Sequence, residues 1–148
     1  MSHDLSFNRE GYIGRWIYRI SRSANVYFSR EMQKYGLGSG HFFFLRILMS
    51  REGISQKELS NILDVDKATT AKAMKKLAEA GYVKREIDSL DTRIYRLFLT
   101  DNGKKIGQEL RRLGANFEEI LTEGLSEDEK QQLQSLLHRA ATNAKRAK

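Results

Sequence analysis

The chain has 148 residues, 40% apolar and 30% charged, a composition that fits one soluble globular domain and excludes a disordered or collagen-like chain. Cysteine is absent, so disulfides, thiolate nucleophiles and cysteine-held metal centres are excluded, and a reducing compartment fits. Lysine and arginine number 26 against 19 aspartate and glutamate, a net charge of +7 that points to an acidic partner, most often nucleic acid.

No stretch approaches the roughly 20 apolar residues that span a bilayer. The opening MSHDLSFNRE lacks the basic-then-apolar layout of a signal peptide, so a cytoplasmic location and no membrane partner are expected. In chain order, Ile13, Trp16, Ile17, Ile20, Ala24, Tyr27 and Phe28 recur at spacings of three and four, which predicts a long helix ending near Gly36. Its other face carries Arg15, Arg19, Arg22 and Arg30. The loop from Gly36 to Gly40 follows a helix rather than a strand and lacks the rest of a phosphate-cradling motif, so no nucleotide site is expected there. Ser39 is placed to cap the next helix, HFFFLRILM, which is apolar on nearly every side as a central buried helix should be.

Ser55 and Glu58 form a capping box, with Ile54 and Leu59 as its hydrophobic staple, so a short helix begins at Gln56 and buries Leu59, Ile62 and Leu63. Asp66 caps a second helix, in which Thr70, Ala73, Met74 and Leu77 face inward until Gly81 stops it. Two helices joined by so short a turn make a helix-turn-helix. Beyond Gly81, YVKREI and TRIYRLFLT read as a hairpin around the turn Asp88-Ser89-Leu90-Asp91, and a hairpin in that place makes a winged helix. Thr100 caps a further helix whose Ile106, Leu110, Leu113, Phe117 and Ile120 form a heptad seam, which calls for a partner helix. A second capping box, Ser126 with Glu129, opens a last helix carrying Leu133, Leu136, Leu137, Ala140 and Ala144 on one side.

Charge concentrates where the motif lies. Between residues 67 and 85, Lys67, Lys72, Lys75, Lys76, Lys84 and Arg85 face only Glu79. In a duplex-binding helix-turn-helix the second helix enters the major groove, and basic residues along it reach phosphates. The outward set is Lys67, Ala68, Thr69, Ala71, Lys72, Lys75 and Lys76. Lysine donates to guanine, the threonine hydroxyl serves several bases, and the alanine methyls suit thymine. Arg85 extends this basic surface, and Arg93 with Arg96 would reach the neighbouring backbone or minor groove from the hairpin, with Asp91 orienting Arg93. At the start of the first helix Ser55, Gln56 and Lys57 offer free N–H groups to a phosphate oxygen. The competing reading is a protein-interaction module whose lysines only confer solubility. An enzyme is not expected: His3, His41 and His138 are scattered, and HExxH, nucleophile-elbow and Walker motifs are missing. Asp88 and Asp91 read as carboxylates on an exposed turn, and no cofactor is implied.

The segment Ser39 through Thr100 resembles the MarR-type winged-helix transcriptional regulators. The likeness lies in Ile54-Ser55-Gln56-Lys57-Glu58-Leu59, in Lys72 to Leu77 closing with Gly81-Tyr82-Val83, and in Asp91-Thr92-Arg93 ahead of Arg96-Leu97-Phe98-Leu99-Thr100. The family often has arginine where Lys72 stands and Pro or Gly near the wing tip, where this chain has Asp88-Ser89-Leu90-Asp91. The resemblance implies a mainly α fold with a small β-hairpin wing (α+β), a winged helix-turn-helix flanked by dimerisation helices. It implies one domain over 1–148, with 39–100 binding DNA and 1–35 and 101–148 forming a homodimer. It further implies binding to a pseudo-palindromic double-stranded DNA operator, usually as a repressor that a small aromatic or phenolic anion releases. Arg15, Trp16, Tyr18, Arg19, His41 and Phe44 are the candidates to line that anion's crevice, by charge and ring packing. The reading that weighs more is that the same aromatics are dimer or domain core, with His41 an ordinary helix residue.

Overall fold

Residues 12–148 are described by a computed structural model; His3 and the rest of residues 1–11, part of the expected dimerisation segment, lie outside the described residues. The apolar stripes become α1 (Ile13–Met32), α2 (Ser39–Ser50), α3 (Gln56–Leu63), α4 (Lys67–Glu79), α5 (Asp101–Leu121) and α6 (Glu127–Ala144). Short strands β1 (Ile54–Ser55), β2 (Val83–Ile87) and β3 (Tyr95–Leu99) complete a mostly helical fold. Two compact units divide the chain, one through Gly114 and one from Ala115 to Lys148.

In the first unit, α2 is the central helix, burying Phe42, Phe44, Leu45 and Leu48. Phe28 near the end of α1 stacks on Phe42 with ring centroids 4.0 Å apart. Around them Met32, Leu59, Met74, Leu77, Leu97, Leu110 and Leu113 are fully or almost fully buried. Each such side chain contributes roughly 1.5–3 kcal/mol by leaving water. Lys34, just past α1, and Arg112 on α5 both pair with Glu109, and the hydrogen bonds they donate, that of Arg112 first, hold its carboxyl down to about 2.

The sheet has the order β1-β3-β2, antiparallel throughout. A hairpin forms as expected, with Val83 opposite Leu99 and Ile87 opposite Tyr95, but its connection runs over 88–94 rather than 88–91, because the second strand begins at Tyr95 and not at Thr92. β1 is new: its two residues lie opposite Leu97 and Arg96, which ties the start of α3 to the wing. Thr100 ends β3 and caps α5 as expected, accepting a hydrogen bond from the Gly103 N–H at 3.1 Å and donating to the Gly81 carbonyl at 2.5 Å.

Two local expectations are corrected. The N-cap of α2 is Gly38, not Ser39, and His41 Nδ1 accepts the Gly38 N–H at 2.9 Å, so the imidazole takes the part that Glu or Gln at the third helical position plays in a capping box. Ile62, expected in the core, is 41% exposed, because the eight-residue α3 buries only Leu59 and Ser60. Burial and, after it, the Lys76 charge push His41 below its ordinary value. The unfolded chain therefore binds the extra proton more readily, and stability falls as pH drops through about 6.5. Melting temperature should decline from pH 7.5 to 5.5, a window above the carboxylates, and His41→Gln, which still caps the helix, should flatten that decline. An equal decline in both proteins would contradict the assignment.

Candidate nucleic-acid interface

The helix-turn-helix is set by polar contacts that the sequence places in advance. Ser55 Oγ accepts the Glu58 N–H at 3.1 Å while Glu58 accepts the Ser55 N–H at 3.2 Å, closing the capping box of α3. Asp64 ends α3 with a left-handed φ of 54°, a conformation that aspartate tolerates better than most residues. Asp66 then caps α4 by accepting the Thr69 N–H at 2.6 Å, and that bond is the chief cause of its lowered pKa. Between the helices the buried Ser60 and Thr70 hydroxyls meet at 2.7 Å, and Thr70 donates on to the Asp66 carbonyl at 3.1 Å. This pair joins α3 to α4 across their buried faces.

The inward face of α4 is the expected one: Thr70, Ala73, Met74 and Leu77 are buried. Lys67, Ala68, Thr69, Lys72, Lys75 and Lys76 are exposed and Ala71 is half-buried, so the outward set forms one cationic side. Ser55 is buried at the head of α3, with Gln56 half-buried beside it. Arg85 is exposed on β2, its guanidinium 5.2 Å from the centre of the Tyr95 ring.

At the wing, Asp91 takes Arg93 in a forked pair, Nε at 3.0 Å and Nη2 at 3.1 Å, and also accepts the Arg93 backbone N–H at 3.0 Å. The Arg93 side chain nonetheless stays 87% exposed. The arginine lowers the Asp91 pKa, and the carboxylate raises that of Arg93. Asp91 thus orients rather than offers a contact of its own. Arg96 is already engaged within the protein: its Nε donates to Asp88 Oδ2 at 2.6 Å and its Nη1 to the Gly53 carbonyl at 3.0 Å. Asp88, held low mainly by Arg96, is engaged rather than free on an open turn.

A cleft of about 270 Å³ lies between the start of α3 and the wing, and Ser55, Gln56, Lys57, Lys67 and Arg93 all border it. Tyr95 and Ile94 line it as well, and sequence reasoning missed both. The only advance signal for Tyr95 was its place two residues beyond Arg93.

The six effector candidates fall into separate places. Arg15 and Arg19 lie over the Trp16 ring at 5.6 and 5.3 Å, one cluster on α1 in which Arg15 is half-buried and Trp16 and Arg19 are exposed. Tyr18 is 65% exposed, whereas Phe44 belongs to the core and His41 to the cap of α2.

The MarR family model matches residues 37–95. Over 132 residues the chain is 33% identical to the HTH-type transcriptional regulator YybA of Bacillus subtilis, spanning 89% of this chain and 88% of that protein. A crystallised MarR transcriptional regulator from Methanosarcina mazei Go1 superposes with a TM-score of 0.84 at 35% identity, over 93% of this chain and 99% of the other. A MarR family protein from Listeria monocytogenes, solved in complex with a 26mer DNA, superposes with a TM-score of 0.85 at 25% identity, over 89% and 88% of the two chains. The relatives are transcriptional regulators, not enzymes. Among the described residues no helix is long and apolar enough to cross a membrane.

Proposed function

We propose, starting from the fact that this chain belongs to the MarR family, that it works as a homodimeric repressor in the cytoplasm, bound to a pseudo-palindromic DNA operator. The observation that carries the reading is the coincidence of a capped α4, a single cationic side on it, and an arginine-tipped wing across one cleft. On this reading Lys67, Ala68, Thr69, Ala71 and Lys72 address base edges, and Lys75 and Lys76 address phosphates. Ser55, Gln56 and Arg85 flank them, and Arg93 reaches the next stretch of backbone or minor groove. Selection of bound duplexes from a random pool tests it: two related half-sites about one helical turn apart are expected. Recovery of unrelated sequences, or of none, would favour the protein-interaction module instead.

Unpartnered apolar surface supports the dimer. On α1, Ile13, Trp16, Ile17 and Ile20 are 69%, 42%, 45% and 40% exposed, an apolar row open to solvent among the described residues. Taken by itself, α6 buries none of its residues and exposes Leu136 and Leu137 at 57% and 40%. A second copy of the chain covers both rows in this proposal. Removing residues 126–148 should convert the dimer to monomer or aggregate in light scattering, with Leu137→Glu giving the same trend; a stable truncated dimer would refute it.

For the effector, the Arg15–Trp16–Arg19 cluster supports an aromatic carboxylate, since two guanidiniums and an indole offer charge and a stacking face together. Phe44 supports it least, being already packed in the core.

A further inference from the structure

The guanidinium of Arg96 is engaged within the protein, by the Asp88 carboxylate and the Gly53 carbonyl. Arg96 lies on β3, the middle strand, opposite Ser55 of β1 on one side and Glu86 of β2 on the other. Its guanidinium joins the Gly53 carbonyl, just ahead of α3, to the Asp88 carboxylate at the base of the wing turn. Asp88 divides its two oxygens: Oδ2 takes Arg96, and Oδ1 accepts the backbone N–H groups of Leu90 at 2.8 Å and Asp91 at 3.0 Å. Asp91, ordered in this way, holds Arg93. The contacts therefore run without a break from the loop before α3 to the arginine at the wing tip.

We infer that Arg96 is a positioning residue, which fixes the wing against the helix-turn-helix and so sets where Arg93 meets DNA relative to α4. The inference rests on the DNA-binding reading above. A two-stranded hairpin is only marginally stable alone. Beyond Ile87 and Tyr95 this wing has no third strand beside it, since β1 reaches only Leu97 and Arg96. Backbone hydrogen bonds close the hairpin and its turn, the Asp88 N–H donating to the Ile94 carbonyl at 2.9 Å, and the Arg96 guanidinium adds a tie from Asp88 to Gly53, outside the hairpin. A planar guanidinium supplies one because it spans a carboxylate and a carbonyl at once, with a hydrogen bond to each, which an ammonium on a flexible stem does poorly. The Asp88 side chain is 13% exposed and that of Arg96 41%, so the carboxylate is the sheltered end of the pair.

The test is a set of double-mutant cycles on the full-length protein, read as affinity for the selected duplex. Arg96→Gln and Asp88→Asn should each weaken binding about tenfold, and their combination no more than either alone. In wild type, Arg93→Ala should cost about tenfold; in the Arg96→Gln background that cost should shrink to about twofold. Lys72→Ala should cost the same in both backgrounds, because α4 does not depend on the wing turn. If Arg93→Ala costs as much in Arg96→Gln as in wild type, or if Asp88→Asn binds as tightly as wild type, Arg96 does not position the wing. If the Lys72 and Arg93 costs both collapse, Arg96 maintains the fold at large, which also overturns the inference. Wild-type protein that selects no duplex would overturn the DNA-binding reading, and this inference with it.

Discussion

Replacing Lys72 and Arg93 together by alanine should lower affinity for the selected duplex by about a hundredfold near physiological salt. The magnitude follows from two interactions worth about 1–3 kcal/mol each when they read bases or dock phosphates well. The two side chains sit on different elements, α4 and the wing turn, so their costs should add. Salt dependence separates their roles. Deleting a cation that neutralises one phosphate reduces the slope of log affinity against log salt by about one. If Lys72 donates to guanine, its removal relaxes preference at one base pair and the slope hardly changes; if it grips a phosphate, all sequences weaken alike. Arg93, with its side chain 87% exposed while Asp91 steers it, should show up in the slope. Lys145→Ala, beyond the end of α6, serves as the control and should leave both quantities in place. Unchanged binding by the double variant would remove α4 and the wing tip from the interface.

Gly103→Ala should destabilise the protein by about 2 kcal/mol or more, against the usual direction for that change in a helix. In an ordinary helical site alanine gains up to about 1 kcal/mol over glycine. Here an added methyl group would press into the backbone carbonyl oxygen of Tyr82 and crowd Leu99. That carbonyl cannot swing aside, because it accepts the Thr100 N–H at 3.0 Å where the hairpin closes. Overpacking of this kind costs about 1–3 kcal/mol and occasionally more. The other glycines of α5 are built-in contrasts. At Gly107 the new carbon would come within 3.0 Å of the terminal methyl of Met49, a side chain free to turn, so alanine there should be close to neutral. At Gly114 the nearest neighbour, the Phe42 ring, would be 3.5 Å away, an ordinary separation, and alanine should stabilise. Thermal unfolding of the three variants checks the order; a Gly103→Ala protein as stable as Gly114→Ala would overturn the packing argument.

Features written in local spacing were legible in the sequence. The capping boxes at Ser55 and Ser126, the inward set Thr70, Ala73, Met74 and Leu77, and the cap at Thr100 each depend on residues within a few positions of one another. Features that depend on distant partners were not. Arg96 looks like one more wing cation until Gly53, 43 residues earlier, is seen to accept from it. β1 is two residues long and carries no alternation to read. The stripe on α1 was correctly seen as apolar, yet periodicity cannot tell that Phe28 and Met32 are buried in this chain while Ile13 and Ile17 are left outside. Aromatic content alone likewise grouped Phe44 with Trp16, although one fills the core and the other lies open on α1.

Glu58 and Asp66, described above as helix caps, also place a carboxylate at the mouth of each helix that faces the cleft or carries the lysines. An approaching phosphate therefore meets like charge at both entrances, and the backbone amides there lose much of their pull on anions. Adhesion to arbitrary polyanions falls to the long cationic side chains, which salt weakens readily. On the proposed reading, the acids act as a brake on indiscriminate sticking and leave the fit of α4 and the wing to decide where the protein stays.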